Sequence, residues 1–87
     1  MVTIIDFNAT WCGPCKQIAP IFEAAAEKYP GVEFKSVDVD EYGAMAEQYG
    51  VQSIPMVVLL DKDGNVLDEN VGFMEAGDFD QLIEKYL

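Results

Sequence analysis

The sequence predicts an α/β fold in which a four-stranded mixed sheet carries helices on both faces. Four short apolar runs have the β-branched character of strands, and three stretches repeat their apolar residues at helical spacing. These elements follow one another in the order βαβαββα. A long helical stretch between the first two strands is typical of parallel strands joined by a right-handed crossover, and a tight turn joins the last two strands.

The first strand and the first helix are predicted at residues 2–9 and 13–29. The strand is apolar and β-branched almost throughout, as expected of a strand that is buried on both faces. Pro14 suits the first helical turn, where its missing N–H removes no hydrogen bond. Pro20 lies inside the helix and is expected to kink it. One face of this helix is predicted to be apolar, and it consists of Ile18, Ile21, Phe22, Ala25, Ala26 and Tyr29.

A second strand and a short helix are predicted at residues 32–40 and 41–49, and Gly50 is the expected C-terminal stop of that helix. The runs 56–60 and 66–71 flank the turn sequence KDGN, which predicts an antiparallel hairpin. A last helix is predicted at residues 78–87. Its apolar residues recur at helical spacing: Phe79, Leu82, Ile83, Tyr86 and Leu87.

The chain carries 16 acidic residues against 5 basic ones and no histidine, which gives a formal net charge of −11. Nucleic acids and anionic membranes are bound by basic surfaces, so neither is an expected partner. No apolar run approaches the roughly 18 residues of a membrane span, and the N-terminus lacks the basic region of a signal peptide. We expect one domain over residues 1–87 in a cytoplasmic, monomeric protein.

The two cysteines, Cys12 and Cys15, lie in the segment TWCGPCK, and three interpretations compete. A structural zinc site needs four ligands, most often Cys and His, whereas this chain offers two thiolates and no histidine. The acids at 38, 40 and 41 are interpreted as a strand end and a helix start, so no metal is expected. A structural disulfide that closes a four-residue loop contributes only about 2 kcal/mol, and such disulfides rarely persist in a reducing compartment.

A redox-active pair explains more of the pattern. Cys12 lies where a strand passes into a helix, so free backbone N–H groups and the positive end of the helix dipole favour its thiolate. Cys15 lies one turn inside the helix and is placed to attack a mixed disulfide formed by Cys12. Gly13 and Pro14 separate the two cysteines, and Pro14 stiffens the loop. The pair therefore predicts thiol–disulfide exchange.

The segment WCGPCK resembles the active-site motif of the thioredoxin family. The resemblance implies a thioredoxin-like fold and a thioredoxin-type protein-disulfide reductase that cycles between a Cys-Gly-Pro-Cys dithiol and its disulfide. It also implies disulfide-containing protein substrates, a thioredoxin reductase that recharges the pair, a role in electron transport and cell redox homeostasis, and no cofactor. Further matches cover nearly the whole chain: Asp6-Phe7, Pro20, VDVDE at 37–41, YGV at 49–51, Ile54-Pro55 and Gly72.

The resemblance also assigns roles to individual residues. Cys12 would attack the target disulfide and Cys15 would resolve the mixed disulfide, with Gly13 and Pro14 in support. Pro55 would follow a cis peptide bond and face the cysteines, and the backbone of Ile54 would pair with an extended substrate segment. The apolar docking surface would consist of Trp11, Ile54, Pro55, Gly72 and Phe73. Two hypotheses compete with a general reductase: an electron donor dedicated to one target, and a binding module in which the cysteines are incidental.

The chain also departs from the family pattern. Family members usually begin with an additional strand and helix, so the resemblance implies a minimal fold in which the second strand lies at a sheet edge. A lysine that bacterial members often keep near a buried acid is replaced here by Ser36. Met56 stands where the family often has threonine, and Asn8 where a second tryptophan can occur. We expect these changes to affect proton transfer and partner choice rather than the thiol chemistry.

Asp6 interrupts the apolar strand at 2–9, between Ile5 and Phe7. If the strand lies centrally, the Asp6 carboxyl is buried, and burial raises the pKa of a carboxyl because it disfavours the charged form. Because Ser36 stands in place of the lysine, no cation is expected to oppose that rise. The sequence therefore predicts that Asp6 takes the proton from Cys15, directly or through one water molecule, when Cys15 attacks the mixed disulfide. A solvated residue at a strand edge is the alternative.

Overall fold

The computed structural model describes residues 1–87 and has the predicted order of elements. The bounds are β1 Thr3–Asn8, α1 Gly13–Lys28, β2 Glu33–Asp38, α2 Gly43–Gln48, β3 Met56–Leu60, β4 Val66–Val71 and α3 Ala76–Lys85. The strands form one mixed sheet in the order β2-β1-β3-β4. Strand β1 is parallel to β2 and antiparallel to β3, and β3 and β4 form the predicted antiparallel hairpin.

Helices cover both faces of the sheet, as predicted. Because side chains alternate along a strand, Ile4 and Ile5 of β1 point to opposite faces. Ile4 belongs to the larger core, where Phe22 of α1 packs edge-on against Phe79 of α3 with ring centroids 5.9 Å apart. Ile5 belongs to the smaller core on the other face, which Ala46 of α2 covers. Strand β1 is therefore buried on both faces, with strands paired along both of its edges.

Helix α1 runs without interruption from Gly13 through Pro20 to Lys28. Its first residue follows Cys12, whose backbone is extended and which serves as the N-cap. The proline in the first turn is tolerated as predicted, because N–H groups there have no partner within the helix. Cys12 therefore lies between the end of β1 and the start of α1, whereas Cys15 is the third residue of α1.

Two helix starts differ from the predicted bounds. Helix α2 begins two residues later than expected because the Asp38 carboxylate accepts hydrogen bonds from the backbone N–H groups of Asp40 and Glu41, at 2.8 and 3.2 Å, and holds them in a turn. Helix α3 begins two residues earlier, at Ala76, and the Asp78 carboxylate accepts a hydrogen bond from the Glu75 N–H at 2.9 Å. A carboxylate at the end of β2 and another in the first turn of α3 thus set the two boundaries, which apolar spacing alone does not locate.

None of the three helices combines the length and the apolar character needed to cross a membrane. Strands β2 and β4 form the two edges of the sheet, so the expected edge position of β2 is confirmed. Glu33 and Lys35 lie on β2 and form an exposed ion pair with a distance of 3.1 Å between the charged atoms. Charged side chains of this kind are typical of exposed edge strands.

Candidate active site

The two cysteines meet at the N-terminus of α1. Cys12 and Cys15 are joined by a disulfide bond, with their Cα atoms 5.2 Å apart. The Cys15 backbone N–H donates a hydrogen bond to Cys12 Sγ at 3.2 Å, and the sulfur thereby satisfies one of the free N–H groups of the first helical turn. The sulfur of Cys12 therefore lies where the helix start stabilises negative charge. Both residues are nearly inaccessible, at 5% and 4% exposure, so burial alone does not distinguish them.

The segment before β3 passes close to the disulfide. The Ile54 carbonyl oxygen lies 3.9 Å from Cys12 Sγ, and the Ile54 side chain packs against the cysteine pair together with Val39. The Ile54–Pro55 peptide bond is cis, as predicted. The Pro55 side chain is almost fully buried. Its carbonyl oxygen accepts a hydrogen bond from the Gly72 N–H at 2.8 Å, which joins the ends of β3 and β4 beside the site.

Gly72 has a φ angle of +105°, a backbone conformation that side chains rarely adopt. A glycine is therefore required where the chain leaves β4 and turns past Pro55. This turn places Phe73 on the surface, with 45% of the residue exposed. On the other side of the disulfide, Trp11 is 68% exposed, and its Nε1–H donates a hydrogen bond to the Asp40 carboxylate at 2.8 Å. The structure thus presents two exposed aromatic side chains on segments that adjoin Cys12 and Pro55.

Asp6 is buried in the middle of β1, with 2% of the residue exposed, so the alternative of a solvated strand edge is wrong. Its Oδ1 atom has no hydrogen-bond partner. Burial raises the pKa of Asp6 to about 6, and the nearby Asn8 amide opposes that rise. An open cavity of about 170 Å³ is lined by Asp6 and Cys15, and this volume accommodates several water molecules. Asp6 and Cys15 therefore line the same open cavity.

Two features of the site were not found by sequence reasoning. The sequence pattern indicates for Asp40 only a place at a strand end or helix start, yet its carboxylate fixes the Trp11 indole. For Asn8 the sequence shows only a departure from a family pattern, yet its side chain donates a hydrogen bond to Ser36 Oγ at 2.8 Å across the two parallel strands. Both contacts depend on the register that pairs Asn8 with Asp38 and Asp6 with Ser36, and one sequence does not reveal a register. No group of three or more His, Cys, Asp or Glu side chains is arranged to hold a metal ion.

Comparisons with known proteins identify the family. The family model described as Thioredoxin matches residues 1–85. A thioredoxin of Chlamydia trachomatis is 42% identical over 85 residues, which cover 98% of this chain and 82% of that protein. An H-type thioredoxin of rice, Oryza sativa subsp. indica, is 51% identical over 71 residues, which cover 82% of this chain and 57% of that protein.

Solved structures agree with the sequence comparisons. A mutant thioredoxin from Halobacterium salinarum superimposes with a TM-score of 0.91 at 40% identity, covering 98% of this chain and 74% of that one. The thioredoxin of Plasmodium falciparum gives a TM-score of 0.89 at 40% identity, covering 99% of this chain and 82% of that one. The chain belongs to the thioredoxin family, and its Cys12–Cys15 pair is the redox-active disulfide of a thioredoxin-type disulfide oxidoreductase.

Proposed function

We propose that this chain is a general reductant of protein disulfides, with Cys12 as the attacking thiol and Cys15 as the resolving thiol. The observation that carries the assignment of roles is the hydrogen bond from the Cys15 N–H to Cys12 Sγ. In the reduced protein the same donor stabilises a Cys12 thiolate, which is the nucleophile in thiol–disulfide exchange. Cys15 is the third residue of α1, and no backbone N–H donates to its sulfur as one does to Cys12 Sγ.

The proposed cycle has two exchange steps. The Cys12 thiolate attacks one sulfur of the substrate disulfide, which releases the other substrate sulfur as a thiolate and leaves a mixed disulfide. The Cys15 thiol then loses its proton, and its sulfur attacks Cys12 Sγ. The Cys12–Cys15 disulfide forms, and the second substrate sulfur leaves as a thiolate. Two electrons pass to the substrate, and a thioredoxin reductase returns two electrons to the pair.

We assign to Asp6 the role of accepting the Cys15 proton in the second step. Its unpartnered Oδ1 and the cavity that it shares with Cys15 support this role. A carboxyl whose pKa is about 6 is a better proton acceptor near neutral pH than a solvated aspartate, and it still ionises there. Transfer through a water molecule in the cavity requires no movement of the strand that carries Asp6.

Substrate docking is proposed beside the cis Ile54–Pro55 bond. An extended segment of the substrate would pair with backbone groups of Ile54, whose carbonyl oxygen lies 3.9 Å from Cys12 Sγ. Exposed Trp11 and Phe73 support an apolar docking surface, to which we also assign Ile54, Pro55 and Gly72. Because Pro55 is buried, its part is to set the direction of the backbone. Gly13 and Pro14 support the site by holding the two cysteines at the helix start.

The wider setting is also a proposal. We propose one domain over residues 1–87, a monomer in the cytoplasm, and roles in electron transport and cell redox homeostasis. The net charge of −11 supports the absence of nucleic-acid and membrane partners, because nucleic acids and anionic membranes carry negative charge. We assign no cofactor, because the dithiol itself carries the electrons.

Reduction of insulin by dithiothreitol tests the function. We expect the protein to accelerate precipitation of the insulin chains, and Cys12→Ser to remove the acceleration. An inactive wild type would instead favour a binding module.

Capture with Cys15→Ser, which leaves mixed disulfides unresolved, separates a general reductant from a donor dedicated to one target. Many captured proteins would support the proposal, whereas a single captured target would contradict it.

A further inference from the structure

The side chains of Asn8 and Ser36 join β1 and β2 above the cavity that Asp6 shares with Cys15. Asn8 Nδ2 donates to Ser36 Oγ at 2.8 Å and to the backbone carbonyl oxygen of Asp6 at 3.0 Å. With both of these contacts made, the orientation of the Asn8 amide is fixed and its N–H end faces the Asp6–Ser36 side. Asn8 and Ser36 also line the cavity.

Few charged groups face Asp6 on this side of the sheet. Strand β2 contributes Ser36, the register partner of Asp6, and β3 contributes Val57, which lies directly opposite Asp6 on the other neighbouring strand. Helix α1 contributes the disulfide-bonded Cys15 and Lys16 to the cavity lining, and Lys16 is the one titratable side chain there besides Asp6 itself. Lys16 is exposed to solvent, where its charge is well screened. The neutral amide of Asn8 is thus the polar group held in a fixed orientation beside the buried acid.

We propose that Asn8, held in place by Ser36, is a positioning residue that sets how readily Asp6 keeps its proton. The positive N–H end of the amide stabilises the Asp6 carboxylate and opposes the effect of burial. Ser36 acts through Asn8, because its hydroxyl oxygen holds the amide in that orientation. The link from Asp6 to turnover rests on the proposed function, in which Asp6 accepts the proton of Cys15. The effect of Asn8 on the titration of Asp6 does not depend on that proposed function.

The titration of the Asp6 carboxyl tests the proposal directly. It is followed by ¹³C NMR of the side-chain carboxyl carbon in the oxidised protein, where neither cysteine titrates. We expect Asn8→Ala to raise the titration midpoint by up to about one pH unit, because the positive end of the amide dipole, which favours the charged carboxylate, is lost. Ser36→Ala should raise the midpoint in the same direction, whereas Ser36→Thr retains a hydroxyl and should keep the wild-type midpoint. Thermal unfolding of each variant serves as the control that the variant is folded.

The outcomes separate this inference from the proposed function. An unchanged midpoint in folded Asn8→Ala overturns the inference, and so does an equal midpoint in Ser36→Ala and Ser36→Thr. If the midpoint and the pH profile of insulin reduction shift together, both the inference and the base role of Asp6 are supported. If the midpoint shifts while the pH profile stays in place, Asn8 still acts on Asp6 as proposed, and it is the base role of Asp6 that fails. In an Asp6→Asn background, Asn8→Ala should leave the pH profile unchanged.

Discussion

Asp6 is the only polar or charged side chain among the buried residues, and its proposed role as a base would connect stability to chemistry. The sequence alone placed it correctly, because an acid inside a β-branched run has apolar neighbours on both sides. Its immediate partners were not predictable, since the Asn8–Ser36 contact depends on the β1–β2 register. At this scale the sequence reveals which residue is unusual, and the structure reveals what the residue contacts.

Asp6→Asn is expected to stabilise the protein at pH 7–8. Because burial raises the pKa of Asp6 from 3.8 to about 6, folding favours the protonated carboxyl. That stabilisation is fully present below the unfolded pKa near 3.8 and is lost as the pH rises through about 6. Above that pH the buried carboxylate costs up to about 3 kcal/mol, which the asparagine avoids. Urea unfolding at pH 8 should show the gain, and at pH 4 the gain should largely disappear.

The same substitution is expected to slow turnover at the resolving step, because the proposed proton acceptor for Cys15 is lost. Rapid mixing of the reduced variant with a disulfide substrate should then show the mixed disulfide accumulating. If stability and reduction rate both stay unchanged between pH 6 and pH 8, Asp6 is not a buried base.

Cys12 is expected to be the more reactive thiol of the reduced protein. The two cysteines are equally buried, so the expected difference arises from the Cys15 N–H that points at Cys12 Sγ. Brief treatment with iodoacetamide, followed by peptide mass spectrometry, should find the label on Cys12 first. Cys15→Ser should retain that labelling and Cys12→Ser should lose it. Preferential labelling of Cys15 would reverse the assigned roles.

Helix α3 and the segment before it place two phenylalanines in opposite surroundings. Phe79 lies on the predicted apolar face of α3 and is fully buried, as its helical spacing indicates. Phe73 follows Gly72 and is exposed, and only the resemblance to thioredoxins singled it out. Apolar spacing correctly predicted Phe79 and Ile83 on the α3 core face, but Leu87 lies beyond the helix and is exposed. It also placed the start of α3 two residues late, because the hydrogen bond from the Glu75 N–H to Asp78 lies outside the apolar pattern.

The two phenylalanines form a matched pair of substitutions. Phe79→Ala is expected to destabilise the protein by about 3–5 kcal/mol, because it leaves a cavity between α1 and α3. Phe73→Ala is expected to change stability by less than about 0.5 kcal/mol, since the side chain is exposed. The substitution Phe73→Ala should instead raise the KM for insulin. If Phe73→Ala keeps the wild-type KM, Phe73 does not belong to the docking surface.

The whole molecule combines a high negative charge with an exposed sheet edge. The net charge of −11 is read directly from composition, and the edge position of β2 followed from the resemblance to thioredoxins and agrees with the strand order. The free backbone groups of an edge strand favour pairing with a second chain, while like charges on two molecules oppose it. Ionic strength decides the balance, because the screening length falls from about 30 Å at 0.01 M salt to about 3 Å at 1 M.

We expect the 87-residue chain to be monomeric at 0.01 M salt and to associate weakly near 1 M, as followed by light scattering. Lys35→Glu adds negative charge on β2 and should move the association to higher salt. Lys62→Glu makes the same change in the hairpin turn between β3 and β4, away from that edge, and serves as the control. A larger shift for Lys35→Glu than for Lys62→Glu locates the contact at β2, whereas equal shifts mean that net charge alone governs association. A stable dimer at 0.01 M salt would contradict the prediction, because an apolar interface would then outweigh the repulsion.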